Sequence, residues 1–361
     1  MLTLENARGD RLGGIPAGTP IEAKAEGERV ALSCAQPRGE GRAERYIISS
    51  SAPISISLAG KERGTYQGQL AVSARAGRLA LVNKIGLEEY LRGVLPFEIP
   101  TSFHPEALKA QAIAARTYAV AGLGRHKNDE YDLCDGSHCQ VYLGMKDQDA
   151  RLNAAISDTA GLIVTYQGRP IHAVYHDVCG GRTAGNESAW VGSHPLPYLR
   201  PVLDGDDGNA WCARSPRGVW TRRIPRARLG AALERFGVRG PVAAIRAAGY
   251  DENGRPQEFE VSSESGEVTV LAGALRSTVN AALGWNTLPS ADFEAAPSGE
   301  VMVFTGRGNG HGVGLCQWGA DGMARAGKTA AEILAHYYQG TKVEAIGTQM
   351  ALELEARNHR G

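Results

Sequence analysis

Hydrophobic and polar residues alternate through much of the first 84 residues, which is the pattern of half-buried β-strands. The alternation is clear in PISISLAG (53–60), in GTYQGQLAVSARAG (64–77) and in RLALVNKIG (78–86). β-branched and aromatic residues recur with a period of two, and glycines separate the segments. The sequence therefore predicts an antiparallel β meander in this part of the chain.

The pattern changes to helical spacing after residue 85. GLEEYLRGVL (86–95) predicts a short helix that ends at Pro96, because proline lacks the backbone N–H that continues a helix. A longer predicted helix begins at Pro105, a favoured first helical position, and runs to about residue 124. Its small and apolar residues fall on one face: Leu108, Ala112, Ala115, Ala119 and Gly122. We therefore expect this helix to be central and buried.

The later segments predict a mixture of helices and strands. Residues 151–183 predict a helix, a strand pair that turns at Gln167 and Gly168, and a Gly-Gly loop. Composition shifts between about 206 and 300, where strands with an Asn-Gly turn alternate with helices and predict an inserted lobe. The glycine-rich stretch at 306–314 precedes two predicted helices and a last strand.

The predicted fold class is therefore α+β, in four parts. The first is β-rich (1–84), and the second is a helical core with the central helix and a Cys/His cluster (85–205). The third is the smaller inserted α+β lobe (206–300). In the fourth (301–345), the glycine-rich loop and its helices return to complete the core.

Composition narrows the function. The chain has 361 residues, of which 43% are apolar and 22% charged, so a globular protein with a substantial core is expected. Lys plus Arg equals Asp plus Glu at 39 each, and this zero net charge argues against a nucleic-acid binder. We expect no membrane span, because no apolar run is long enough. The first residues also lack the apolar segment of a signal peptide.

Four potential metal ligands lie close together in the sequence: His126, Cys134, His138 and Cys139. A mixed sulfur and nitrogen set favours tetrahedral zinc, and the Asp-Gly pair at 135–136 supplies a turn. We expect a structural zinc site, since four protein ligands leave no open position for a substrate. The alternatives are a chance cluster or a disulfide between the two cysteines.

Two glycine-rich stretches are candidates for a binding site. In GRGNGHGVGLCQWGA (306–320), five glycines in nine residues expose backbone N–H groups before a predicted helix. The stretch lacks the phosphate-loop and dinucleotide patterns, so no organic cofactor is expected. The flanking glycines leave His311 accessible. HDVCGGRT (176–183) either frames a pocket or is an ordinary turn, and no sequence context supports Cys179 as the nucleophile of a Cys/His dyad over a buried thiol.

Three segments, taken together, resemble the family of stage II sporulation protein D and amidase-enhancer proteins. They are LEEYLRGVLPFEIPTSFHPEALKAQAIAARTYAV (87–120), YHDVCGGRT (175–183) and GRGNGHGVGLCQWGADGMA (306–324), in the family's order. The resemblance implies a peptidoglycan lytic transglycosylase, a carbon–oxygen lyase. Such an enzyme cleaves the MurNAc–GlcNAc bond of glycan strands and forms 1,6-anhydroMurNAc. The family's catalytic acid/base falls on Glu98.

One carboxylate suffices for this chemistry, because the muramyl C6 hydroxyl of the substrate is the nucleophile. Glu98 would protonate the glycosidic oxygen and then accept the proton of that hydroxyl. The carboxyl must therefore stay protonated near neutral pH. We expect Phe97, Ile99 and the two prolines of LPFEIP (95–100) to raise its pKa by limiting hydration.

The resemblance also implies substrate-binding residues in the other motifs: Arg116, His176, Gly180, Gly181, Arg182, Thr183, His311 and Gln317. Arg116 either pairs with a carboxylate or is a structural charge, and Trp190 and Tyr198 either stack on sugars or belong to the core. Cys179 and Cys316 stand where the family motifs have serine. They indicate a second thiol contact or a disulfide, with Cys212 as a potential partner.

The expected partners are peptidoglycan glycan strands, before or after removal of their stem peptides, and a cell-wall amidase. This substrate implies an extracytoplasmic location, in the cell envelope or secreted. A non-catalytic peptidoglycan-binding enhancer of an N-acetylmuramoyl-L-alanine amidase is the alternative function. A zinc hydrolase is a third, less favoured one, because the Cys/His ligands would fill the coordination sphere.

Overall fold

The computed structural model describes residues 2–6, 10–35, 38–145, 149–206 and 209–348, together with Met350 and Leu354. The chain divides into two units. The first contains residues 1–101, 122–160 and 346–361, and the second contains 102–121 and 161–345. The mixed α+β class predicted from the sequence is confirmed. Within the described residues, no helix has the length and apolar character needed to cross a membrane.

Ten strands lie in the described part of the first 84 residues. They are β1 (Leu2–Asn6), β2 (Arg11–Ile15), β3 (Ile21–Glu26), β4 (Arg29–Ala35), β5 (Arg38–Ala43), β6 (Arg45–Ser50), β7 (Ile54–Leu58), β8 (Lys61–Tyr66), β9 (Gln69–Arg75) and β10 (Arg78–Lys84). Their antiparallel sheets have the orders β10-β9-β6-β1-β2, β3-β4-β5 and β7-β8. A buried cluster that includes Val30, Tyr46, Leu70 and Val72 forms their core.

The first helix, α1, spans Leu87–Glu98, so the prediction that it ends at Pro96 is wrong. Pro96 lies in the last turn, where its missing N–H removes one hydrogen bond without stopping the next two residues from being helical. Pro100 disfavours the helical conformation in the residue before it, and Ile99 is extended at φ −136° and ψ 138°. Glu98 is therefore the last helical residue and not a turn residue.

The first unit continues through a loop to α3 (Ala150–Asp158). The described part of this loop includes the short 3₁₀ helix Lys127–Asp129. Asp149 caps α3, because its side chain accepts hydrogen bonds from the backbone N–H groups of Arg151 and Leu152. Arg92 of α1 also donates to the Ser157 hydroxyl at 3.4 Å, which links α1 to α3.

The second unit is organised around α2 (Pro105–Ala121), which begins at the predicted proline. Twelve of its 17 residues are buried, so the predicted central helix is confirmed. The same unit contains β11 (Leu162–Tyr166), β12 (Arg169–Pro170), β13 (Tyr175–His176), α4 (Asn186–Ala189), β14 (Gly205–Asp206) and β15 (Asn209–Ala210). Gln167 and Gly168 have φ of 52° and 72° and form the predicted turn between β11 and β12.

The predicted lobe lies within the second unit. Its elements are β16 (Val219–Pro225), α5 (Arg226–Ala232), β17 (Ala244–Tyr250), β18 (Pro256–Ser263), β19 (Gly266–Leu271), α6 (Ala272–Leu283), β20 (Asp292–Ser298) and β21 (Val301–Arg307). They form the antiparallel sheets β16-β21-β20 and β17-β18-β19. Phe259 and Phe293 stack at 4.4 Å within a buried apolar cluster. Because β21 pairs with β16 and β20, this sheet continues to Arg307.

The second unit ends as predicted, with a glycine-rich loop, two helices and a strand. These elements are β22 (Leu315–Cys316), α7 (Gln317–Arg325), α8 (Ala330–Tyr337) and β23 (Lys342–Ala345). β23 pairs with β11, which ties the last strand to the sheet beside α2.

Candidate functional site

Glu98 is a half-buried carboxyl at the C-terminal end of α1. Its Oε1 accepts a hydrogen bond from the backbone N–H of Val141 at 3.1 Å. Burial raises the pKa of Glu98 above its ordinary value, and the bond from Val141 offsets part of this effect. The negative end of the helix dipole acts in the same direction as burial. The carboxyl is therefore shifted toward its neutral form, as a general acid requires.

The loop that presents Val141 is fixed against α1. Tyr142, the next residue, is buried and packs against Tyr90 of α1 with 5.1 Å between the ring centroids. A Cβ on Gly93 would lie 2.4 Å from the Tyr142 ring, so only glycine allows this approach. The Tyr90 hydroxyl also donates to Oε1 of Gln140 at 3.2 Å. The residues on both sides of Val141 are thus held by the helix that carries Glu98.

The same loop brings the predicted metal ligands together. The ligand atoms of His126, Cys134, His138 and Cys139 all lie within 4.8 Å of one another. His126 Nε2 is 3.4 Å from Cys139 Sγ, and His138 Nδ1 is 3.7 Å from each of the two sulfurs. A tetrahedron with zinc bonds of about 2.0–2.3 Å has edges of roughly 3.5 Å, so this set fits zinc.

Cys134 and Cys139 are not joined in a disulfide, which removes that alternative for the cluster. Cys139 also accepts a hydrogen bond from Arg125 at 3.6 Å. Since Cys139 precedes Val141 by two residues, the cluster fixes the segment that contacts Glu98.

The two glycine motifs of the second unit run side by side. β13 and β22 are parallel, with Tyr175 opposite Leu315 and His176 opposite Cys316. Gly180 has a φ of 80°, and a Cβ there would lie 2.7 Å from the side chain of Arg307. Gly181, with a φ of 101°, also adopts a conformation that favours glycine. The two glycines predicted to bind substrate thus have a clear conformational role in this packing.

His311, in the second of these motifs, is half-buried. Its Nδ1 accepts from the Val313 N–H at 3.1 Å, so the proton is on Nε2, which donates to the Tyr175 carbonyl at 2.9 Å. Burial and the nearby Arg276 lower the pKa of His311 to about 4, so the ring is neutral at neutral pH. Its centroid is 5.2 Å from that of Trp190.

The two aromatic candidates differ in exposure. Trp190 has 39% of its surface exposed, whereas Tyr198 has 9% exposed and packs on Tyr166 with centroids 5.5 Å apart. Trp190 beside His311 therefore forms an aromatic surface open to solvent, and Tyr198 belongs to the core.

Three other predicted substrate-binding residues are fully or almost fully buried. Arg116 donates to the Leu162 carbonyl at 3.2 Å, which supports its structural interpretation. Gln317 donates to Gln111 Oε1 at 3.3 Å. His176 makes a 3.1 Å contact from Nδ1 to the carbonyl of a residue in the glycine-rich loop. All three contacts connect parts of the second unit's interior.

Arg182 and Thr183 also have partners within the protein. Arg182 forms two parallel hydrogen bonds with the Asp292 carboxylate, at 3.2 and 3.0 Å, and donates to the Asn253 carbonyl. The buried Thr183 hydroxyl accepts from the Val202 N–H at 2.8 Å. Both residues fix the loop that follows β13.

Comparison with known proteins places these features in a family. Residues 75–166 match a sequence model described as stage II sporulation protein, SpoIID. The stage II sporulation protein D of Bacillus subtilis (strain 168) is 33% identical over 281 residues, which cover 73% of this chain and 75% of that protein. This chain belongs to the stage II sporulation protein D family.

Two further relatives are similar over much of this family member. An uncharacterized protein of Brachyspira hyodysenteriae is 30% identical over 280 residues, covering 77% of this chain and 72% of that protein. The amidase enhancer of Bacillus subtilis is 28% identical over 300 residues, covering 70% of this chain but 40% of that protein. Glu98 and the four residues of the Cys/His cluster all lie inside the segment that matches the family model.

In this member of the stage II sporulation protein D family, one buried residue that contacts the glycine motifs was not predicted from the sequence. Arg255 is almost fully buried and donates to the carbonyls of Cys179 and Arg182 at 3.1 and 3.0 Å. A Cβ on Gly312 would lie 2.5 Å from its guanidinium. Arg255, which belongs to the lobe, thus contacts both glycine motifs. It follows an Asn-Gly turn in the sequence, and nothing in that local pattern predicts these contacts.

Proposed function

We propose that this protein is a peptidoglycan lytic transglycosylase in which Glu98 is the single general acid/base. The observation that carries the proposal is the state of this carboxyl. It is half-buried at the end of α1, fixed by the Val141 N–H, and raised in pKa. The family supports the substrate class, since one relative is a sporulation protein and another is named an amidase enhancer.

The reaction requires two proton transfers at one carboxyl. Protonated Glu98 gives its proton to the oxygen between MurNAc and GlcNAc, and the bond from that oxygen to the muramyl C1 breaks. The muramyl C6 hydroxyl oxygen then bonds to C1 and gives its proton to the Glu98 carboxylate. The acid is restored, no water is consumed, and the product ends in 1,6-anhydroMurNAc. The Val141 N–H stabilises the carboxylate that exists between the two transfers.

We also propose that the Cys/His cluster binds zinc in a structural role. His126, Cys134, His138 and Cys139 would supply two nitrogens and two thiolates. Bound zinc would cross-link the loop two residues before Val141, and so maintain the contact with Glu98. Metal analysis of protein purified without chelator tests this, and absence of zinc from that protein would contradict it.

The exposed Trp190, with the half-buried His311 beside it, is the best-supported glycan-binding surface of the second unit. An exposed indole can lie flat against the apolar face of a sugar, and a neutral imidazole is less costly to desolvate than a charged one. Glycan strands, with or without stem peptides, are the proposed ligand. With this substrate class we propose an extracytoplasmic location, and a cell-wall amidase as the partner.

The test is a product assay on purified peptidoglycan and on glycan strands stripped of stem peptides. We expect the wild type to release fragments with 1,6-anhydroMurNAc ends, identified by mass spectrometry. Glu98→Gln should abolish these products, and the matched control Glu89→Gln, exposed on the same helix, should not. Anhydro products from Glu98→Gln at the wild-type level would refute the role of Glu98.

A non-catalytic enhancer of an N-acetylmuramoyl-L-alanine amidase is the second candidate, because one relative carries the name amidase enhancer. An assay that adds this protein to a purified cell-wall amidase distinguishes the two functions. Equal stimulation by wild type and Glu98→Gln, with no anhydro products from either, would favour the enhancer.

A further inference from the structure

A second group of metal-ligand side chains lies in the second unit: Cys179, Asp204, Cys212 and Cys316. Their ligand atoms all lie within 4.8 Å of one another, and none of these residues has more than 2% of its surface exposed. We propose that these four side chains bind a zinc ion in a closed structural site, separate from the Cys/His cluster. The proposal does not depend on the proposed transglycosylase activity.

The spacing of the sulfurs fits a metal and not a disulfide. Cys179 Sγ lies 3.6 Å from Cys212 Sγ, and the structure has no disulfide among the described cysteines. The sequence left open a thiol contact or a disulfide here, and the structure has the contact. A tetrahedron with zinc–sulfur bonds of about 2.3 Å has edges of about 3.8 Å, close to this separation.

Backbone groups favour negative charge on the sulfur of Cys316. Its Sγ accepts from the N–H of Cys179 at 3.2 Å and from the N–H of Gly319 at 3.3 Å. Gly319 lies in the first turn of α7, where the helix dipole favours an anion. Hydrogen bonds to the sulfur of this kind support metal-bound thiolates.

Asp204 is fully buried and contributes the one oxygen ligand atom of this group. Its Oδ2 accepts from the Cys212 N–H at 3.0 Å, and its Oδ1 accepts from the Tyr337 hydroxyl. Among the described residues, none of the ion pairs with Lys, Arg or His involves Asp204. Buried charges are normally paired or bound to a metal, and each carboxylate oxygen has a second lone pair for a ligand bond.

Gly319 also admits this carboxylate, because a Cβ there would lie 2.2 Å from Asp204 Oδ1. Three soft thiolates with one oxygen favour zinc over magnesium or calcium, which prefer oxygen ligands. With four protein ligands the site is closed, so we assign it a structural role.

The bound ion would join four separate segments of the second unit. Cys179 follows β13, Asp204 precedes β14, Cys212 lies in the 3₁₀ turn Trp211–Arg214, and Cys316 ends β22. Cys179 belongs to the first glycine motif (176–183), and Cys316 belongs to the second (306–320). The ion would therefore hold the motifs in register independently of the Cys/His cluster, which belongs to the first unit.

The test counts zinc by elemental analysis in protein expressed with zinc and dialysed without chelator. We expect two zinc ions per chain in the wild type and in the control Cys34→Ser, since Cys34 belongs to neither cluster. The deciding variant is Cys134→Ser/Cys139→Ser, which disables the first cluster and leaves the second intact. It should retain one zinc ion, and cobalt substitution should give the near-ultraviolet charge-transfer band of thiolate-bound cobalt.

A Cys134→Ser/Cys139→Ser variant that folds but holds no zinc would overturn the proposal. Cys179→Ser/Cys212→Ser removes buried groups and can unfold, so the wild type supplies a second measurement. After denaturation without reductant, the wild-type protein should have the mass of the fully reduced chain. Its native mass should exceed this by the mass of two zinc ions. Loss of two hydrogens with a mapped Cys179–Cys212 bond would also overturn the proposal.

Discussion

Substitution of Glu98 by glutamine is predicted to reduce turnover without reducing stability at neutral pH. Glutamine keeps an oxygen that accepts from the Val141 N–H but cannot give a proton to the substrate. A positioned general acid contributes roughly 10²–10⁴-fold in rate. This corresponds to about 2.7–5.4 kcal/mol of transition-state stabilisation. We therefore expect a loss of turnover of at least a hundredfold.

The stability effect follows from the direction of the pKa shift. Because burial raises the pKa of Glu98 in the folded state, the native protein binds more protons than the unfolded chain between the two pKa values. The free energy of unfolding contributed by this group therefore falls as pH rises through that interval. Above the folded pKa the charged carboxylate costs stability that glutamine does not. Glu98→Gln should thus melt at or above the wild-type temperature at neutral pH.

Thermal unfolding followed from pH 3 to pH 9 provides the measurement, with product release measured in parallel. Any stability advantage of Glu98→Gln should shrink as pH falls toward the unfolded glutamate pKa of about 4.3. Wild-type turnover should fall as pH rises through the raised pKa, since the acid form is lost. Glu98→Ala is the contrasting variant, because it leaves the Val141 N–H without this acceptor, at a cost of about 1–3 kcal/mol.

Two results would refute this reasoning. The first is a Glu98→Gln variant that melts as far below the wild type as Glu98→Ala does, which would make the carboxylate a structural charge. The second is turnover by Glu98→Gln within tenfold of the wild type.

Three further predictions concern the surroundings of the candidate sites. Gly93→Ala should lower stability by about 1–3 kcal/mol in urea unfolding and reduce turnover, because its Cβ would lie 2.4 Å from the Tyr142 ring; an unchanged midpoint would contradict this. Thr183→Val should cost about 1–3 kcal/mol, since it leaves a buried backbone N–H unsatisfied; thermal melts check it. Trp190→Ala should weaken glycan binding about twofold to tenfold in calorimetry without lowering the melting temperature. The more exposed Trp285→Ala, at 82% exposure, is its control.

Features encoded in short stretches of sequence were predicted correctly. Pro105 and the small residues after it identify α2, and Gln167 with Gly168 identifies the turn between β11 and β12. The Cys/His cluster was found for the same reason, since its four residues lie within 14 positions and a tight loop brings them together. Helical hydrogen bonds and tight turns join residues a few positions apart, so local patterns determine them.

The end of α1 marks the limit of this local information. Pro96 is a strong helix-stopping signal, yet the helix continues to Glu98 and ends before Pro100. Whether the helix ends at Pro96 or before Pro100 depends on whether tertiary contacts stabilise the residues after Pro96 in the helical conformation. Here Val141, 43 positions later, provides Glu98 with a hydrogen bond in its helical position.

The hydrogen-bond partners of the motif residues within the protein were revealed only by the tertiary structure. Arg182 and Thr183 were expected to bind substrate, and the structure gives them Asp292 and Val202 as partners. A polar residue in a motif has the same sequence signal whether it faces a ligand or a buried acceptor. The difference depends on which distant segment packs against it.

The second metal-ligand cluster shows the distinction most clearly. Cys179 and Cys316 are 137 positions apart, and Asp204 and Cys212 lie between them without any recognisable spacing. The sequence by itself determined that this chain has the family motifs, the central helix and a local Cys/His cluster. Only the tertiary structure brought four distant side chains to one buried point, because packing between segments far apart in sequence is not encoded in any short window.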